Sequence, residues 1–384
     1  MTSDSNSIET KSIHAGAYEP KVNKAVTLPI FQSSTFEYSD NESDYHDIKY
    51  LRLNNTPNHI VLHRRLAALE NAEAALVTSS GMAAISTSLL ALMKAGDHLL
   101  IQDCLYGGTH SFVAEDLVKT GVTFDFIDAQ NPKSWEKKLK PQTKVIYVET
   151  ISNPLLQIAD LKAVIEFAKF NRLVSMIDNT FASPVNFRPA EWEFDLSLHS
   201  CTKYLNGHSD IVAGAVIGRE ALIKTITHKL NHLGGTLDPH SCFLLERGIK
   251  TLALRVRFQN ESALKIAQFL STHRAVSKVY YPGLEVHPQY RRAQELLNGF
   301  GGVLSFELKG GSDAAVSLID RVKISTHAPS LGGVETLITR PGVTTHISIP
   351  PEERLKLGIR DDLIRLSVGI EATADLISDL DGAL

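Results

Sequence analysis

One lysine stands among small and hydroxyl-bearing residues in the stretch 200–208, which reads Ser-Cys-Thr-Lys-Tyr-Leu-Asn-Gly-His. This lysine is Lys203, and an apolar, strand-like segment at 211–217 follows it. A lysine on a tight turn whose stem packs against apolar neighbours loses solvation, which lowers the pKa of its amine. A neutral amine attacks aldehydes and forms Schiff bases. Lys203 is therefore a candidate nucleophile, although a solvated surface lysine is the alternative interpretation of this stretch alone.

A carboxylate closes the apolar segment 173–178, which reads Leu-Val-Ser-Met-Ile-Asp and indicates a buried strand. In open α/β sheets, ligands bind beyond the carboxyl ends of the strands. At such a place, Asp178 would pair with the protonated ring nitrogen of a heterocyclic cofactor. The alternative is that Asp178 caps the helix that follows the strand.

Gly81 lies where an extended segment, 74–77, meets a segment of helical composition that begins at Ala83. The backbone N–H groups at the start of a helix are free, and the helix dipole is positive there. Such a junction is an anion site suited to a phosphate group. The alternative is an ordinary helix cap that happens to contain a glycine.

With these three features, the chain resembles the Cys/Met-metabolism family of pyridoxal 5'-phosphate (PLP) enzymes. This group contains cystathionine γ-synthase, cystathionine γ-lyase, cystathionine β-lyase and methionine γ-lyase. The resemblance covers nearly the whole chain through ordered motifs: 13–16 (Ile-His-Ala-Gly), 29–36 (Pro-Ile-Phe-Gln-Ser-Ser-Thr-Phe), 80–82 (Ser-Gly-Met), 105–108 (Leu-Tyr-Gly-Gly), 149–154 (Glu-Thr-Ile-Ser-Asn-Pro), 178–180 (Asp-Asn-Thr), 202–204 (Thr-Lys-Tyr), 207–210 (Gly-His-Ser-Asp), 330–335 (Ser-Leu-Gly-Gly-Val-Glu) and 364–371 (Ile-Arg-Leu-Ser-Val-Gly-Ile-Glu).

The resemblance implies three catalytic residues. Lys203 would hold PLP covalently and, once released, move protons between carbon atoms. Asp178 would hold the proton of the pyridine nitrogen. Tyr106 would stack on the pyridine face and leave its phenol near the substrate amine, although a core aromatic is the more common fate of a tyrosine.

The resemblance also implies which residues bind the cofactor besides Lys203, Tyr106 and Asp178. The backbone N–H groups of Gly81 and Met82 would bind the phosphate. The hydroxyl-bearing residues Thr180, Ser200 and Thr202 would complete the cofactor site. Tyr50 and Arg52 would reach from one subunit to the phosphate of its neighbour, so that a dimer shares its active sites and the expected assembly is a homotetramer, a dimer of dimers.

Four further residues are predicted to bind the amino-acid substrate. Arg365 would bind the α-carboxylate, because a guanidinium fork matches a carboxylate with two parallel hydrogen bonds. Its apolar neighbours speak against the alternative of a surface salt bridge. Asn153 and Ser330 would approach the same carboxylate. Glu335 mildly favours chemistry at Cγ, and a solvated loop glutamate is the equal alternative.

The chain departs from the family near the expected pocket for the distal end of the substrate. The turn after Tyr50 is changed and longer, and Lys49 stands where cystathionine γ-lyases have an acid. Ser111 replaces an arginine of many cystathionine-handling members, and Lys49 or Arg340 would have to supply a replacement charge. Gly108 stands where methionine γ-lyases carry a cysteine, which counts against that activity.

Composition excludes several other classes of protein. The net charge of −4 and the lack of a basic stripe give nucleic-acid binding no support. No apolar run is long enough to span a membrane, and residues 1–7 are too polar for a signal peptide. The spacing of the three cysteines suits neither a disulfide framework nor a zinc site, so we expect no metal and a cytoplasmic location.

Short apolar runs alternate with helical patterns from about residue 61 to 250, which predicts a mostly parallel sheet with crossover helices. The expected class is α/β, with the PLP-dependent transferase fold of type I. The chain is divided into an N-terminal arm for the neighbouring subunit (1–60), a large PLP-binding domain (61–250) and a smaller C-terminal α/β domain (251–384).

The first functional hypothesis is a carbon–sulfur lyase that eliminates at Cγ or Cβ of cystathionine or a related sulfur amino acid. The second is γ-replacement on an O-acylhomoserine, as in cystathionine γ-synthase or a sulfhydrylase. The third is a non-catalytic protein with a PLP-enzyme fold, against which the complete set of lysine, aspartate and arginine speaks.

Overall fold

The computed structural model describes residues 6–37, 48–344, 347 and 350–384, with the side chain of Glu353 left out. Residues 1–5 and 38–47, which belong to the predicted arm, lie outside the described residues. Two β-sheets, formed by separate parts of the sequence, organise the described chain.

The larger sheet has seven strands in the order β1-β7-β6-β5-β4-β2-β3. All neighbours are parallel except those of β7, which runs antiparallel to both β1 and β6. This confirms the predicted, mostly parallel sheet. The strands are β1 (Ala74–Thr78), β2 (His98–Gln102), β3 (Thr123–Ile127), β4 (Thr143–Glu149), β5 (Val174–Asp178), β6 (Leu196–Ser200) and β7 (Gly214–Gly218).

Helices cover both faces of this sheet. Successive side chains of a strand point to opposite faces, and in β4 Val145 and Tyr147 belong to one buried cluster while Ile146 and Val148 belong to another. The helices of this part are α1 (Ile8–His14), α2 (Pro57–Glu70), α3 (Gly81–Leu92), α4 (Gly107–Ser111), α5 (Leu161–Asn171), α6 (Ser183–Asn186), α7 (Glu220–Leu233) and α8 (Pro239–Ile249). Helices α3 and α7 pack on one face, and α2 and α5 pack on the other.

The smaller sheet has five strands in the order β10-β11-β12-β9-β8 and is mainly antiparallel. Its strands are β8 (Val276–Tyr280), β9 (Val303–Leu308), β10 (Thr326–His327), β11 (Leu337–Thr339) and β12 (Leu363–Ser367). The helices here are α9 (Leu252–Thr272), α10 (Tyr290–Leu296), α11 (Gly311–Arg321), α12 (Pro351–Lys356) and α13 (Thr373–Ala383). The predicted boundary at 250–251 falls between α8 and α9, and the division into domains stays a prediction.

Two elements differ in extent from the sequence-based expectation. The residue spacing at 60–74 predicts a helix. The helix observed there, α2, begins at Pro57, whose fixed φ suits a first helical position, and ends before Asn71, whose φ of 57° is left-handed. The strand expected at 211–217 begins only at Gly214, because Ala213 is tied by its backbone to Thr202. Within the described residues, no helix combines the length and hydrophobicity needed to cross a bilayer.

Candidate active site

A cavity of ≈ 420 Å³ lies at the edge where the parallel strands of the larger sheet end, beside the smaller sheet. Strands β4, β5 and β6 run in the same direction, so their carboxyl ends meet at this edge. The smaller sheet supplies the opposite wall through Ser330 and Arg365. The predicted site residues that line the cavity are Gly81, Met82, Tyr106, Asn153, Asp178, Thr180, Ser200, Thr202, Lys203, Ser330 and Arg365.

Lys203 lies on the turn that follows β6, with its amine inside the cavity. Its Nζ donates a hydrogen bond of 2.7 Å to Ser330 Oγ. Burial, and secondarily the positive charge of Arg365, lower the pKa of Lys203 to about 8. In a fraction of the molecules the Lys203 amine is therefore neutral near physiological pH, and the neutral form is the one that acts as a nucleophile or a base.

Asp178 is the last residue of β5 and lines the cavity. Burial raises the pKa of its carboxyl group, while hydrogen bonds from Thr180 and the charge of His199 act in the opposite direction. Thr180 donates its backbone N–H to Asp178 Oδ1 (3.0 Å) and accepts the backbone N–H of Ser200 at its hydroxyl (2.8 Å). Thr180 thereby holds the ends of two strands in place.

Glu149 is a cavity residue that the sequence analysis did not assign to the site. It ends β4 directly beside Asp178, and its Oε1 accepts the backbone N–H of Tyr106 at 2.7 Å. Burial, followed by the charge of Asp178, raises the pKa of Glu149 well above its usual range. The signal that would have found it is the one used for Asp178, a carboxylate directly after a buried strand.

Arg365 is buried in the middle of β12, where it faces the cavity. Its Nη1 donates to Asn153 Oδ1 (3.0 Å) and its Nη2 donates to the backbone carbonyl of Ser330 (2.9 Å). Among the described residues, its buried Nε has no acceptor. Burial lowers the pKa of Arg365 to about 10, which leaves the guanidinium charged at neutral pH. A buried cation with a spare donor is suited to an anionic ligand.

Ser330 connects this cation to Lys203. Its backbone carbonyl binds Arg365 and its hydroxyl binds Lys203. Its φ of 96° lies in a region that is strained for a residue with a side chain. The strained backbone places both oxygen atoms of Ser330 at the cavity.

Tyr106 enters the cavity from the segment between β2 and α4. A Cβ atom at Gly108 would lie 2.6 Å from the Tyr106 ring and 3.1 Å from the sulfur of Met82. Glycine at position 108 therefore leaves the room that the Tyr106 ring occupies. Tyr106 is 44% exposed, so one side of the ring is open to a stacking partner.

The start of α3 offers an anion-binding cradle. Ser80 caps the helix by accepting the backbone N–H of Ala83 at 3.0 Å, which leaves the N–H groups of Gly81 and Met82 in the first turn without helical acceptors. A Cβ atom at Gly81 would lie 2.9 Å from Ser200 Cβ, so only a glycine allows this close approach.

The residues present fit PLP. The cavity combines a lysine amine, a carboxylate that follows a strand, an aromatic ring, the first turn of a helix and a buried cation with a spare donor. The lysine amine suits the aldehyde of PLP, the carboxylate suits its pyridine nitrogen, and the aromatic ring suits the face of its ring. The first turn of the helix suits its phosphate, and the buried cation suits the carboxylate of an amino acid.

Three predicted residues are not brought to this cavity by their own chain. Tyr50 is exposed, and Arg52 donates to the backbone carbonyl of Asn231 at 2.6 Å. The altered turn that follows them is closed by Asn55, which accepts the backbone N–H of Tyr50. Glu335 is exposed and accepts a hydrogen bond from Ser209.

A second cavity of ≈ 570 Å³ adjoins the first through Tyr106 and Pro329. Its other described lining residues include Gly108, Ser111 and Thr344 and carry no charge. Arg340, a candidate replacement cation, donates instead to the backbone carbonyl of Asp361.

Comparison with known proteins agrees with this geometry. The sequence profile of the Cys/Met metabolism PLP-dependent enzymes matches residues 9–384. A cystathionine β-lyase from Lactococcus lactis subsp. cremoris is 44% identical over 379 residues, 98% of this chain and 99% of the relative. A cystathionine γ-lyase from Bacillus subtilis is 41% identical over 98% of each chain.

A solved structure gives the same result. The crystal structure of cystathionine γ-lyase from Lactobacillus plantarum, complexed with L-serine, superimposes with a TM-score of 0.93. It is 39% identical and the match covers 98% of both chains. The chain therefore belongs to the family of Cys/Met metabolism PLP-dependent enzymes.

Proposed function

We propose that this PLP-dependent enzyme is a carbon–sulfur lyase that eliminates at Cβ or Cγ of cystathionine or a related sulfur amino acid. The observation that carries the proposal is the Lys203 amine, whose pKa is about 8, in one cavity with Asp178 and Arg365. The relatives named cystathionine β-lyase and cystathionine γ-lyase, which cover nearly the whole chain, support the same reaction class.

The cavity residues divide the work of such a reaction. When bound, PLP supplies an electron sink that makes the hydrogen on the substrate's Cα acidic. Arg365 and Asn153 bind the α-carboxylate and fix the direction in which Cα points. Lys203, as a neutral amine, takes the proton from Cα and, as the ammonium formed, donates a proton to the departing sulfur atom. Asp178 holds the proton on the pyridine nitrogen, and Tyr106 holds the ring by stacking.

The second cavity is where we place the distal part of the substrate. It shares Tyr106 and Pro329 with the first cavity, and its described lining is uncharged. This environment suits a distal group that is neutral overall, such as the amino-acid end of cystathionine or an alkyl group. A lone distal carboxylate would lack a cation among the described lining residues.

A product assay tests the proposal. Purified protein loaded with PLP is incubated with cystathionine, and we expect ammonia with either pyruvate and homocysteine, from cleavage at Cβ, or 2-oxobutanoate and cysteine, from cleavage at Cγ. The Lys203→Ala variant should abolish turnover and remove the visible absorbance of the covalently held cofactor. Full activity in that variant would refute the assigned role of Lys203.

A parallel incubation separates elimination from replacement. O-succinylhomoserine or O-acetylhomoserine is supplied with cysteine, and a new thioether would identify a γ-replacement enzyme. Formation of the thioether without any oxo acid from cystathionine would overturn the lyase proposal. Loss of both reactions in wild-type protein that carries PLP would overturn the wider trans-sulfuration assignment.

We extend the proposal to the organisation of the protein. An arm (1–60), a PLP-binding domain (61–250) and a C-terminal domain (251–384) would form a homotetramer in which paired subunits share active sites through Tyr50 and Arg52. The positions of Tyr50 and Arg52 outside the cavity of their own chain support this arrangement. Three buried free cysteines support a reducing, cytoplasmic location.

A further inference from the structure

A buried polar cluster joins the end of α2 to β6 and to the residue that follows Asp178. Its centre is Glu70, the last residue of α2, whose side chain is 0% exposed. His199, on β6, has a side chain that is 1% exposed. Neither residue lines the active-site cavity.

Glu70 accepts hydrogen bonds from β6 and from the residue that follows β5. Its Oε1 accepts from His199 Nε2 at 2.6 Å, from Ser197 Oγ at 3.1 Å and from Asn179 Nδ2 at 3.3 Å. Within the described part of the chain, the buried Oε2 has no hydrogen-bond partner. The carboxylate is therefore held by one oxygen only, through two donors on β6 and one on the residue after Asp178.

The stability of the fold alone does not account for the buried pair of Glu70 and His199. Removing a carboxylate and an imidazole from water costs several kcal/mol, and well-packed apolar side chains of the same volume are often equally or more stabilising. The unpartnered Oε2 adds to that cost. A group retained at such a cost calls for a role beyond packing.

The cluster is coupled to Asp178 by position and by charge. Strands β5 and β6 pair with Asp178 opposite Leu198, so His199 follows the residue that faces Asp178. Asn179, which donates to Glu70, is the next residue after Asp178. The charge of His199 also lowers the pKa of Asp178, against the effect of burial.

We propose that Glu70 and His199 form a charge-setting pair that keeps Asp178 ionised and thereby keeps the cofactor's ring nitrogen protonated. Glu70 accepts the hydrogen bond from His199 Nε2 and holds the imidazole in place, and the charge of His199 favours negative charge on Asp178. The proton between Asp178 and the ring nitrogen then resides on nitrogen, and no other group gains or loses a proton. Both are positioning residues, and the inference rests on the proposed role of Asp178.

Nuclear magnetic resonance of holoenzyme reconstituted with PLP that is ¹⁵N-labelled in the ring tests this directly. The nitrogen chemical shift distinguishes the protonated ring from the unprotonated one. Wild-type protein defines the resonance position of the protonated ring, which is the first position. Asp178→Asn defines the resonance position of the unprotonated ring, which is the second. We expect Glu70→Gln and His199→Asn, measured at the same pH, to move the resonance clearly from the first position toward the second.

Cofactor affinity gives a second readout that does not depend on activity. We expect the dissociation constant of PLP to rise about fivefold or more in Glu70→Gln, the size of coupling found between residues of one hydrogen-bond network. The double variant Glu70→Gln/His199→Asn should be little worse than either single variant, because the two residues act as a unit.

A second buried ion pair provides the matched control. Arg65 Nη1 lies 3.1 Å from Glu246 Oε1, with side chains 3% and 7% exposed, and neither residue lines the cavity. Glu246→Gln removes a buried charge of the same kind at another place. We expect it to lower the melting temperature and to leave the ring-nitrogen resonance at the wild-type position.

The outcomes separate this inference from the proposed function. If Glu70→Gln and His199→Asn leave the resonance unmoved while Asp178→Asn moves it, the pair is structural and the inference is wrong. If Asp178→Asn itself leaves the resonance unmoved, the assigned role of Asp178 fails instead. Should Glu70→Gln not fold, His199→Asn and His199→Gln carry the same test.

Discussion

At the scale of single residues, Lys203 has an environment that makes its amine reactive without the cofactor. Burial and Arg365 lower its pKa from 10.5 to about 8, so the reactive neutral form is lost as the pH falls below about 8. We expect trinitrobenzenesulfonate to label Lys203 of the apoprotein with a half-maximal rate near pH 8, against roughly pH 10.4 for an unperturbed lysine. Peptide mass spectrometry across a pH series measures the labelling rates of Lys203 and of surface lysines.

The contribution of Arg365 to this reactivity is tested separately. Arg365→Met removes the neighbouring charge, and we expect the labelling midpoint of Lys203 to rise, although burial keeps it below that of surface lysines. Arg321, which is on the surface and binds the backbone carbonyl of Gly382, gives the control Arg321→Met with an unchanged midpoint. A Lys203 midpoint equal to that of surface lysines in the wild type would contradict the environment described.

Glu149 offers a prediction that depends on its protonation state. Burial and Asp178 raise the pKa of Glu149, which favours its neutral acid form, and the carboxyl group accepts the Tyr106 N–H. Glu149→Gln keeps both the acceptor and the neutral charge, and kcat/KM should change little. Glu149→Ala leaves a buried donor unpaired and should cost about 1–3 kcal/mol, seen as a lower melting temperature or kcat/KM. Equal losses in both variants would show that the ionised form is required.

The sequence predicted most of this cavity but not all of it. Lys203, Asp178 and Arg365 stand in recognisable motifs, and the fold brings them together. Glu149 was not assigned, although it ends a buried apolar strand as Asp178 does. Its pairing with Asp178 across β4 and β5 is a tertiary contact that this local signal does not contain. Glu335 has a motif as clear as that of Ser330, yet the chain places it on the surface. A sequence motif gives the type of a residue, whereas the path of the loop determines whether its side chain faces the cavity or the solvent.

At the scale of secondary-structure elements, the first turn of α3 is the predicted phosphate site. A methyl group at position 81 would lie 2.9 Å from Ser200 Cβ and 3.0 Å from its Cα. Gly81→Ala should therefore push α3 away from Ser200 and weaken PLP binding about tenfold or more, a typical cost for disturbing charge-assisted hydrogen bonds. Titration of the apoprotein with PLP measures this effect.

Another helical glycine supplies the control for that variant. Gly382 lies in α13, and no heavy atom is found within 4 Å of the position that a methyl group would take there. Gly382→Ala should leave PLP affinity unchanged and slightly raise the melting temperature, because alanine favours helix. Wild-type affinity in Gly81→Ala would place the phosphate elsewhere.

Local sequence patterns predicted the larger sheet but not the strand pairing of the smaller one. The alternation of apolar runs and helical periods predicted the larger sheet, because strands such as β4 are buried on both faces and read as continuous apolar runs. The antiparallel pairing of β8, β9 and β12 was not predicted. It depends on contacts between segments far apart in the chain, which residue periodicity does not encode.

At the scale of the whole molecule, the predicted arm and α9 each expose a large apolar side chain in the single chain. Val26 is 90% exposed, and Leu254 on α9 is 70% exposed. Since Tyr50 and Arg52 lie outside their own chain's cavity, we expect the arm to complete the site of a second subunit.

Subunit complementation tests this shared site. Lys203→Ala and Arg52→Ala should each be nearly inactive as homo-oligomers. In a mixed dimer, one site carries both defects and the other carries none. After the two proteins are unfolded and refolded together in equal amounts, half of the dimers are mixed, so we expect about a quarter of the wild-type activity.

The matched control combines two defects that lie in the same cavity. In dimers of Lys203→Ala with Asp178→Asn, every site keeps one defect, because both residues belong to one chain's cavity. This mixture should stay inactive, whichever way the subunits pair. If the mixture with Arg52→Ala also stays inactive, the arm serves its own chain and each subunit works alone. Recovery in the first mixture and none in the second requires that the arm of one chain reaches the lysine of another.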